Sequence, residues 1–461
     1  MHRHLLVPLL LTTLGRAVAA DLPAPHFSGF GTLGVAHSDY RDVDFRANLE
    51  QSVGPGKTHK IDAGLDSVFG AQADIPLRDN LWATAQVVAR RMSDDAFKPY
   101  FEWANLRYRL APNLEARAGR VVAPMFMISD ARMIGYSQLA VRAPGGVYMI
   151  SPITYMNGAD INYKFEAGSV IYKLGAGAGR LNQNLASTSG LFNYRFMCRL
   201  INASAESNGS SLRVSFARAD LSASADILRS YDRALNKLVA QGDDNAAQLL
   251  EQINYTGVPI DFYNIGYLYD RQPWQVQMEF ARRRFNQTSF GVDLDGLYLL
   301  AGYHLGKFTP YLQFSHLAHK SRILLTEVDT TPLSPGERAV VGAINANALA
   351  RISRSTLAAG GRWDLADNLA LKLQVDRIYK PAGNNGAYFA PPTRRSSPMP
   401  TAGSTFTALR WISSSRLPRC QSARAVHLPY SCCSVWPLPP APKSSLSSTR
   451  PIRSEPCQLI R

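Results

Sequence analysis

The stretch Trp274-Gln-Val-Gln-Met-Glu-Phe-Ala-Arg-Arg283 decides the fold. Trp274, Val276, Met278 and Phe280 share one parity, and Gln275, Gln277, Glu279 and Arg283 share the other. Successive side chains of an extended chain project to opposite sheet faces, so this segment is a strand with one apolar and one polar face. The pattern recurs along the chain. Leu369, Leu371, Leu373 and Val375 oppose Ala370, Lys372, Gln374 and Asp376; Ala159, Ile161, Tyr163 and Phe165 oppose Asp160, Asn162 and Lys164. Strands are legible near 27–37, 65–75, 81–91, 99–110, 113–121, 158–165, 169–178, 192–205, 211–219, 260–269, 274–283, 297–305, 308–318, 355–364 and 369–377, fifteen in all.

A soluble sandwich also alternates, so the connections decide. Tight turns rich in Gly, Pro, Asn and Asp fall at Pro76–Asn80, Ala111–Asn113, Glu166–Gly168, Glu206–Ser210, Asp270–Pro273, Gly306–Lys307 and Leu365–Asn368. Between them run long connections, notably 38–64, 122–157, 220–259 and 319–354. Strands of about ten residues joined alternately by short turns and long loops are the signature of an all-β, antiparallel transmembrane β-barrel. No run of 18 apolar residues exists, so the sequence offers no transmembrane helix. Tyr108, Phe165, Trp274, Tyr303 and Trp363 lie near the turn-side strand ends on the apolar face, where interfacial aromatic girdles belong.

The two termini read differently from the body. Residues 1–20 hold Arg3, a ten-residue apolar run from Leu5 to Leu14 and the small-residue pattern Ala17-Val18-Ala19, which predicts a cleaved export signal. The chain of 461 residues has a formal net charge of +15, which at first suggests an anionic macromolecular partner. Ten Lys or Arg against Glu455 alone crowd 394–461, and about +4 is left for 21–393. Export and this uneven placement speak against nucleic acid. Four of the five cysteines, Cys420, Cys432, Cys433 and Cys457, also lie in the tail, at spacings that suit neither zinc nor a disulfide framework. Only Cys198 precedes them.

Two loops carry their own signals. Residues 122–157 mix Met125, Phe126, Met127, Tyr136, Tyr148 and Met149 with Asp130, Arg132 and Arg142, a composition suited to a segment folded into the lumen. Residues 226–253 repeat Leu228, Tyr231, Leu235 and Leu238 at helical spacing, break at Gly242-Asp243-Asp244 and resume at Leu249, Leu250 and Ile253, which predicts a helical hairpin at the outer mouth.

The opening strand Phe27-Ser-Gly-Phe-Gly-Thr-Leu-Gly-Val35 and the run Phe101-Glu-Trp-Ala-Asn-Leu-Arg-Tyr-Arg-Leu110 through Ala118-Gly-Arg-Val121 resemble Gram-negative outer-membrane porins, over roughly 26–393. The resemblance implies a bacterial outer-membrane location, a 16-stranded barrel, commonly a homotrimer, passive diffusion of small hydrophilic solutes and a third loop that narrows the pore. It also implies a last strand ending in Phe. Here alternation stops after Pro392, Pro and Ser rise, and fifteen strands leave an up-and-down barrel unclosed. The genetic code offers a repair. Read one base early, Met399-Pro400 must give Ala and Trp411-Ile412 must give Asp. The degenerate choices around them permit D-A-D-G-W-V-N-V-Y-S-V-A-L-D-F-V-F followed by a stop. The sequence reading therefore takes 394–461 as a disordered, non-native tail produced by a frameshift.

No catalytic or metal-binding constellation stands out. His304, His316 and His319 are scattered over strand positions, and Gly175-Ala-Gly-Ala-Gly179 has no following helix to make a phosphate loop. No catalytic residue, metal or cofactor is predicted. Function then rests on the lumen. Strand parity places Arg107, Arg109, Arg117, Lys164, Lys173, Arg213, Arg362 and Lys372 inside, with Glu115, Asp160, Glu279 and Asp376, as the pore-lining set; Asp130, Arg132 and Arg142 are the constriction-loop set. Such a lumen predicts a weakly anion-preferring diffusion pore. A plugged barrel acting as an enzyme or ligand binder, and a soluble periplasmic binding protein, are the alternatives.

Overall fold

The computed structural model describes residues 23–41, 43–187, 190–286, 291–321 and 324–381, and the backbone of 404–416. The expected export signal lies outside the described residues.

Strands β1 (His26–Ser38), β3 (Val68–Arg78), β4 (Leu81–Arg91), β5 (Phe97–Ala111), β6 (Leu114–Val122), β7 (Tyr155–Ala167), β8 (Val170–Ser187) and β9 (Gly190–Ser207) form the first half of one antiparallel sheet. The second half is β10 (Ser210–Ser224), β11 (Val258–Arg271), β12 (Trp274–Phe285), β13 (Leu294–Tyr303), β14 (Phe308–His319), β15 (Arg354–Ala366), β16 (Leu369–Tyr379) and β17 (Ser404–Arg416). A two-residue strand, β2 (Ile61–Asp62), pairs with β1 inside the first long connection. Each long strand pairs with its neighbour in sequence, and β17 pairs both with β16 and with β1, which brings the pairings back to the start. Sixteen long strands thus form an all-β, antiparallel transmembrane barrel.

All fifteen strands expected from alternation are present. The sixteenth corrects the sequence reading. A disordered tail from 394 onward does not hold at Ser404–Arg416, where Leu409 pairs with Val35 and Leu373, and Trp411 with Leu33 and Leu371. This segment has Thr, Phe, Trp and Ile and neither Gly nor Pro, a composition that suits a strand. The edges of β1 and β16 would otherwise present unmet backbone groups, each costing several kcal/mol in hydrocarbon. The rest of the tail lies outside the described residues.

The two faces sort as the alternation dictates. Outward residues such as Leu33, Leu106, Ile201, Ile265, Met278, Leu299, Leu312 and Leu373 are exposed, in a belt no water-soluble surface would carry. Toward the turn-side ends, Trp274 meets Tyr303 edge-on at 4.9 Å between ring centroids, and Phe165 stacks on Tyr172 at 4.9 Å. Among the described residues no helix is long and apolar enough to cross a membrane.

Helices occupy the loop side. α1 (Gly145–Tyr148) belongs to the third connection, and α2 (Asp226–Val239) and α3 (Asp244–Gln252) occupy the segment with helical periodicity. Leu228, Tyr231, Leu235 and Leu238 are buried on one face of α2. The loop before β15, expected as a plain connection, adds α4 (Pro335–Ala348). Its signal was Ser334-Pro-Gly-Glu337: the Ser334 N–H donates to the Glu337 carboxylate at 2.7 Å, and the Glu337 N–H donates to the Ser334 hydroxyl at 3.3 Å. α2 packs on α3 and α4, and the Tyr231 hydroxyl donates to Asn345 at 3.1 Å. The two loops are therefore one small helical unit.

The register pairs positions 405, 407, 409, 411 and 413 with Arg377, Val375, Leu373, Leu371 and Leu369 of β16, which share one parity. A chain whose residues 404–415 are replaced by the other-frame run V-N-V-Y-S-V-A-L-D-F-V-F sets Tyr, Val, Leu and two Phe on that parity, in place of Thr407, Leu409, Trp411, Ser413 and Ser415. It is expected to unfold at higher temperature on heat-modifiability gels; an equal or lower temperature counts against the frameshift. Hydrogen bonds from Ser334, then Lys237, hold the Glu337 carboxyl down to about 2. A depressed carboxyl stabilises the folded form above its ordinary value near 4.3 and ceases to as pH falls through about 2. The protection factors of the amides over 335–348, corrected for intrinsic exchange at each pH, should therefore stay level from pH 7 to 5 and fall below 4, with that fall flattened in E337Q.

Candidate functional site

The third long connection does not project outward. Val121, Ala123, Met125, Phe126, Leu139, Val147, Tyr148 and Ile150 are buried against inward residues of the β9–β14 wall, including Leu200, Ala219, Phe262, Ala281, Tyr298 and Leu317. Gly146 and Gly296 permit the closest approach. A Cβ on Gly296 would stand 2.0 Å from the Gly146 carbonyl oxygen, and one on Gly146 would stand 2.9 Å from backbone atoms of Leu297 and His316. Only hydrogen at both positions lets α1 lie directly on β13 and β14.

Polar anchors fix the loop in register. Glu279 on β12 accepts from the Met127 N–H at 2.8 Å, the Tyr148 hydroxyl at 2.8 Å, the Tyr298 hydroxyl at 3.0 Å and the Asn264 amide at 2.8 Å. Both carboxylate oxygens are thus engaged, which is what a buried carboxylate requires. Lys372 on β16 is fully buried and donates to the carbonyls of Gly135, Gln138 and Ala140. Arg213 reaches the Phe126 carbonyl at 3.0 Å and Asp130 at 3.3 Å. Arg362 donates to the carbonyls of Tyr136 at 2.7 Å and Gln138 at 3.1 Å, and pairs with Asp364. Asp376 takes Arg142 at 2.8 Å, and Arg142 forks onto Asp66 at 2.6 and 3.1 Å.

The predicted pore-lining set therefore divides. Arg213, Glu279, Arg362, Lys372 and Asp376 face inward as parity requires, yet they lie beneath the loop and hold it, so they do not face open water as expected. The correction has a simple cause: a loop folded inside a barrel must satisfy its backbone on the wall it covers. Arg107, Arg109, Glu115, Arg117, Asp160, Lys164 and Lys173 remain on the uncovered wall of β5–β8. Arg117 forks onto Asp160 at 2.6 and 2.9 Å, and Arg107 stands 3.8 Å from Glu115. Lys173 pairs with Glu206 at 2.8 Å, and Lys164 lies 3.5 Å from Glu166. The register sets Arg107 directly opposite Arg117 and Lys164 directly opposite Lys173.

Of the constriction-loop set, Arg132 and Arg142 border a gap shared with Glu50, Asp66, Arg90 and Tyr148. Asp130 turns to the wall at Arg213. The first long connection supplies the other side of the gap, which the sequence reading did not anticipate. Tyr40, Val43, Phe45 and Leu65 of that connection are buried with Val141 and Ile378. Glu50 pairs with Arg90 of β4 and accepts from Gln183 of β8. Arg90 was legible by parity, since Gln86 and Arg90 share the inward face of β4. Arg132 donates to the Tyr148 carbonyl at 2.9 Å and lies over the Phe126 and Tyr148 rings at 5.7 and 5.4 Å. Among the described residues no cluster of His, Cys, Asp and Glu could hold a metal ion.

A sixteen-stranded closed sheet, an outward apolar belt and a third loop folded against the inner wall now stand together. The outer-membrane channel DcaP of Acinetobacter baumannii matches 85% of this chain and 96% of its own, with a TM-score of 0.51 and 11% identity. The fold is that of an outer-membrane porin. The anion-selective porin from Comamonas acidovorans is also similar, at 12% identity, 85% and 100% coverage and a TM-score of 0.48. So is OmpT, an outer membrane protein of Vibrio cholerae, at 12% identity, 85% and 100% coverage and a TM-score of 0.47. No family model matches the sequence, and no curated protein does.

The porin fold makes the loop anchors testable. In E279A the hydroxyls of Tyr148 and Tyr298, the Asn264 amide and the Met127 N–H lose their common acceptor, a loss of about 3 kcal/mol in loop docking. Added trypsin should then cleave at Arg132 in the folded barrel, while the wild type resists. Equal resistance would show that Glu279 does not hold the loop.

Proposed function

We propose that the protein is a bacterial outer-membrane porin that admits small hydrophilic solutes by passive diffusion, with a weak preference for anions. The observation that carries this reading is the division of the lumen. One wall is occupied by the docked third loop, and the facing wall of β5–β8 keeps a charged surface with cations side by side. Arg107 opposite Arg117, and Lys164 opposite Lys173, bias the local potential toward anions. Ion pairing with Glu115, Asp160, Glu166 and Glu206 keeps the bias modest. Partly exposed cations such as Lys164 and Lys173 attract a solute without holding it, which is what a diffusion pore requires.

The remaining assignments follow from the same reading. The apolar belt takes outer-membrane lipid as its partner, the translocated partners are small hydrophilic solutes, and the resemblance to porins suggests a homotrimer. No enzymatic role, cofactor or nucleic-acid partner is proposed.

Reversal potentials across a bilayer in a KCl gradient test the reading. The wild type should pass chloride over potassium by a small factor, about two- to threefold. The K164E/K173E variant places two acids where two cations stood and should shift the reversal potential toward potassium. Cation preference in the wild type would contradict the anion assignment. A folded barrel with no conductance would favour a plugged, ligand-binding or enzymatic barrel.

A further inference from the structure

The first long connection contains a loop closed on itself. At its stem the Phe45 N–H donates to the Pro55 carbonyl at 2.9 Å, and the Lys57 N–H to the Val43 carbonyl at 3.2 Å. The Thr58 N–H donates to the Asp44 carboxylate at 2.7 Å. Glycine permits this closure, because a Cβ on Gly54 would stand 1.8 Å from the Phe45 carbonyl oxygen. The chain between the stems braces itself as well. The Ala47 N–H donates to Gln51 at 3.0 Å, and the Glu50 N–H donates to Asn48 at 2.9 Å. Residues 44–58 therefore form an Ω-loop, whose ends meet and whose own side chains hold its shape. Such a unit moves as one piece.

Its tip reaches into the lumen at the loop-side ends of β4 and β8. Glu50 is buried there, pairs with Arg90 and accepts from Gln183. Arg132 and Tyr148 of the third loop stand on the other side of the gap, which holds about 90 Å³, room for a few water molecules. A larger solute needs more. The third loop is anchored by Glu279, Lys372, Arg213 and Arg362, so the added width must come from the Ω-loop.

Three features poise the tip between two positions. A buried ion pair gains little net stability, because both ions give up water to form it. Arg46 of the same Ω-loop is buried near Arg354 of β15; burial and that second guanidinium bring Arg46 down to about 10. The two like charges press the loop away from the wall. Glu102 of β5 is buried within Coulombic range of Arg90, and its Oε2 meets no donor among the described residues. Arg90 thus has a second carboxylate to turn to, and release of Glu50 does not leave it an uncompensated buried charge.

We propose that residues 44–58 are a gate of the pore, with Glu50, Arg90 and Glu102 as its switch. With Glu50 on Arg90, the tip closes the gap to the third loop. With Arg90 turned to Glu102, the tip withdraws and solutes pass. The proposal rests on the porin reading above and adds a moving part to it.

Single-channel recording of the refolded full chain in a neutral planar bilayer tests it, read as the ratio of open to closed dwell time. E50A removes the latch and should raise that ratio by about tenfold or more, since a hydrogen bond between charged groups is lost from the closed form alone. E102Q weakens the alternative partner and should lower the ratio by about tenfold. A general loosening of the barrel would move both variants the same way. Q183A should raise the ratio by about threefold, a check that does not depend on E50A folding. Replacing 45–57 by two glycines joins stems that already meet, and should keep the open level while abolishing the closed one. Equal ratios in wild type, E50A, Q183A and E102Q would overturn the proposal while leaving the porin reading intact. A wild type that stays at one level, with a higher steady current in the excised chain, would overturn it too, by making the loop a fixed narrowing. If no folded chain conducts, the porin reading falls and the gate falls with it.

Discussion

The backbone hydrogen bond governs this structure. A chain in hydrocarbon has no water to meet its N–H and C=O groups, so a sheet there must pair every strand on both sides. The pairing of β17 with β16 and β1 meets that demand. Closure in turn creates an interior, and a sixteen-stranded interior is wide enough to need filling or narrowing. The third loop, itself full of backbone groups, enters that interior and is met by the same rule. Glu279 takes the Met127 N–H, and Lys372, Arg213 and Arg362 take its carbonyls.

The fold was legible because its period is simple. Trp274 to Arg283 and Leu369 to Asp376 alternate without interruption, and an error of a residue or two at a boundary does not change a strand's faces. The aromatic girdle at Trp274 and Tyr303 was legible for the same reason. The closing strand was not. Ser404–Arg416 has weak alternation, and its role is set by the open edges of β1 and β16, which no local pattern reveals. α4 was overlooked although Ser334 and Glu337 carry a capping box, because its apolar positions, Val341, Ile344 and Ala348, are few.

The site was legible in part. Parity placed Glu279, Lys372 and Asp376 inside the barrel, and composition placed 122–157 in the lumen. Parity cannot say whether an inward charge meets water or a loop, because that depends on which wall the loop covers. Two glycines far apart in sequence, Gly146 and Gly296, settle the matter by allowing contact that any side chain would prevent. The inward fold of the first connection depended on Glu50, Arg90 and Gln183 coming together from three separate segments. Such juxtapositions have no sequence period.

The most direct test of a lumen that is narrowed yet open is the single-channel current of the refolded full chain in a neutral planar bilayer. The account predicts discrete conductance steps with a linear current–voltage relation at low voltage. A barrel that shows heat-modifiable mobility on a gel, inserts into the bilayer and passes no current would contradict it.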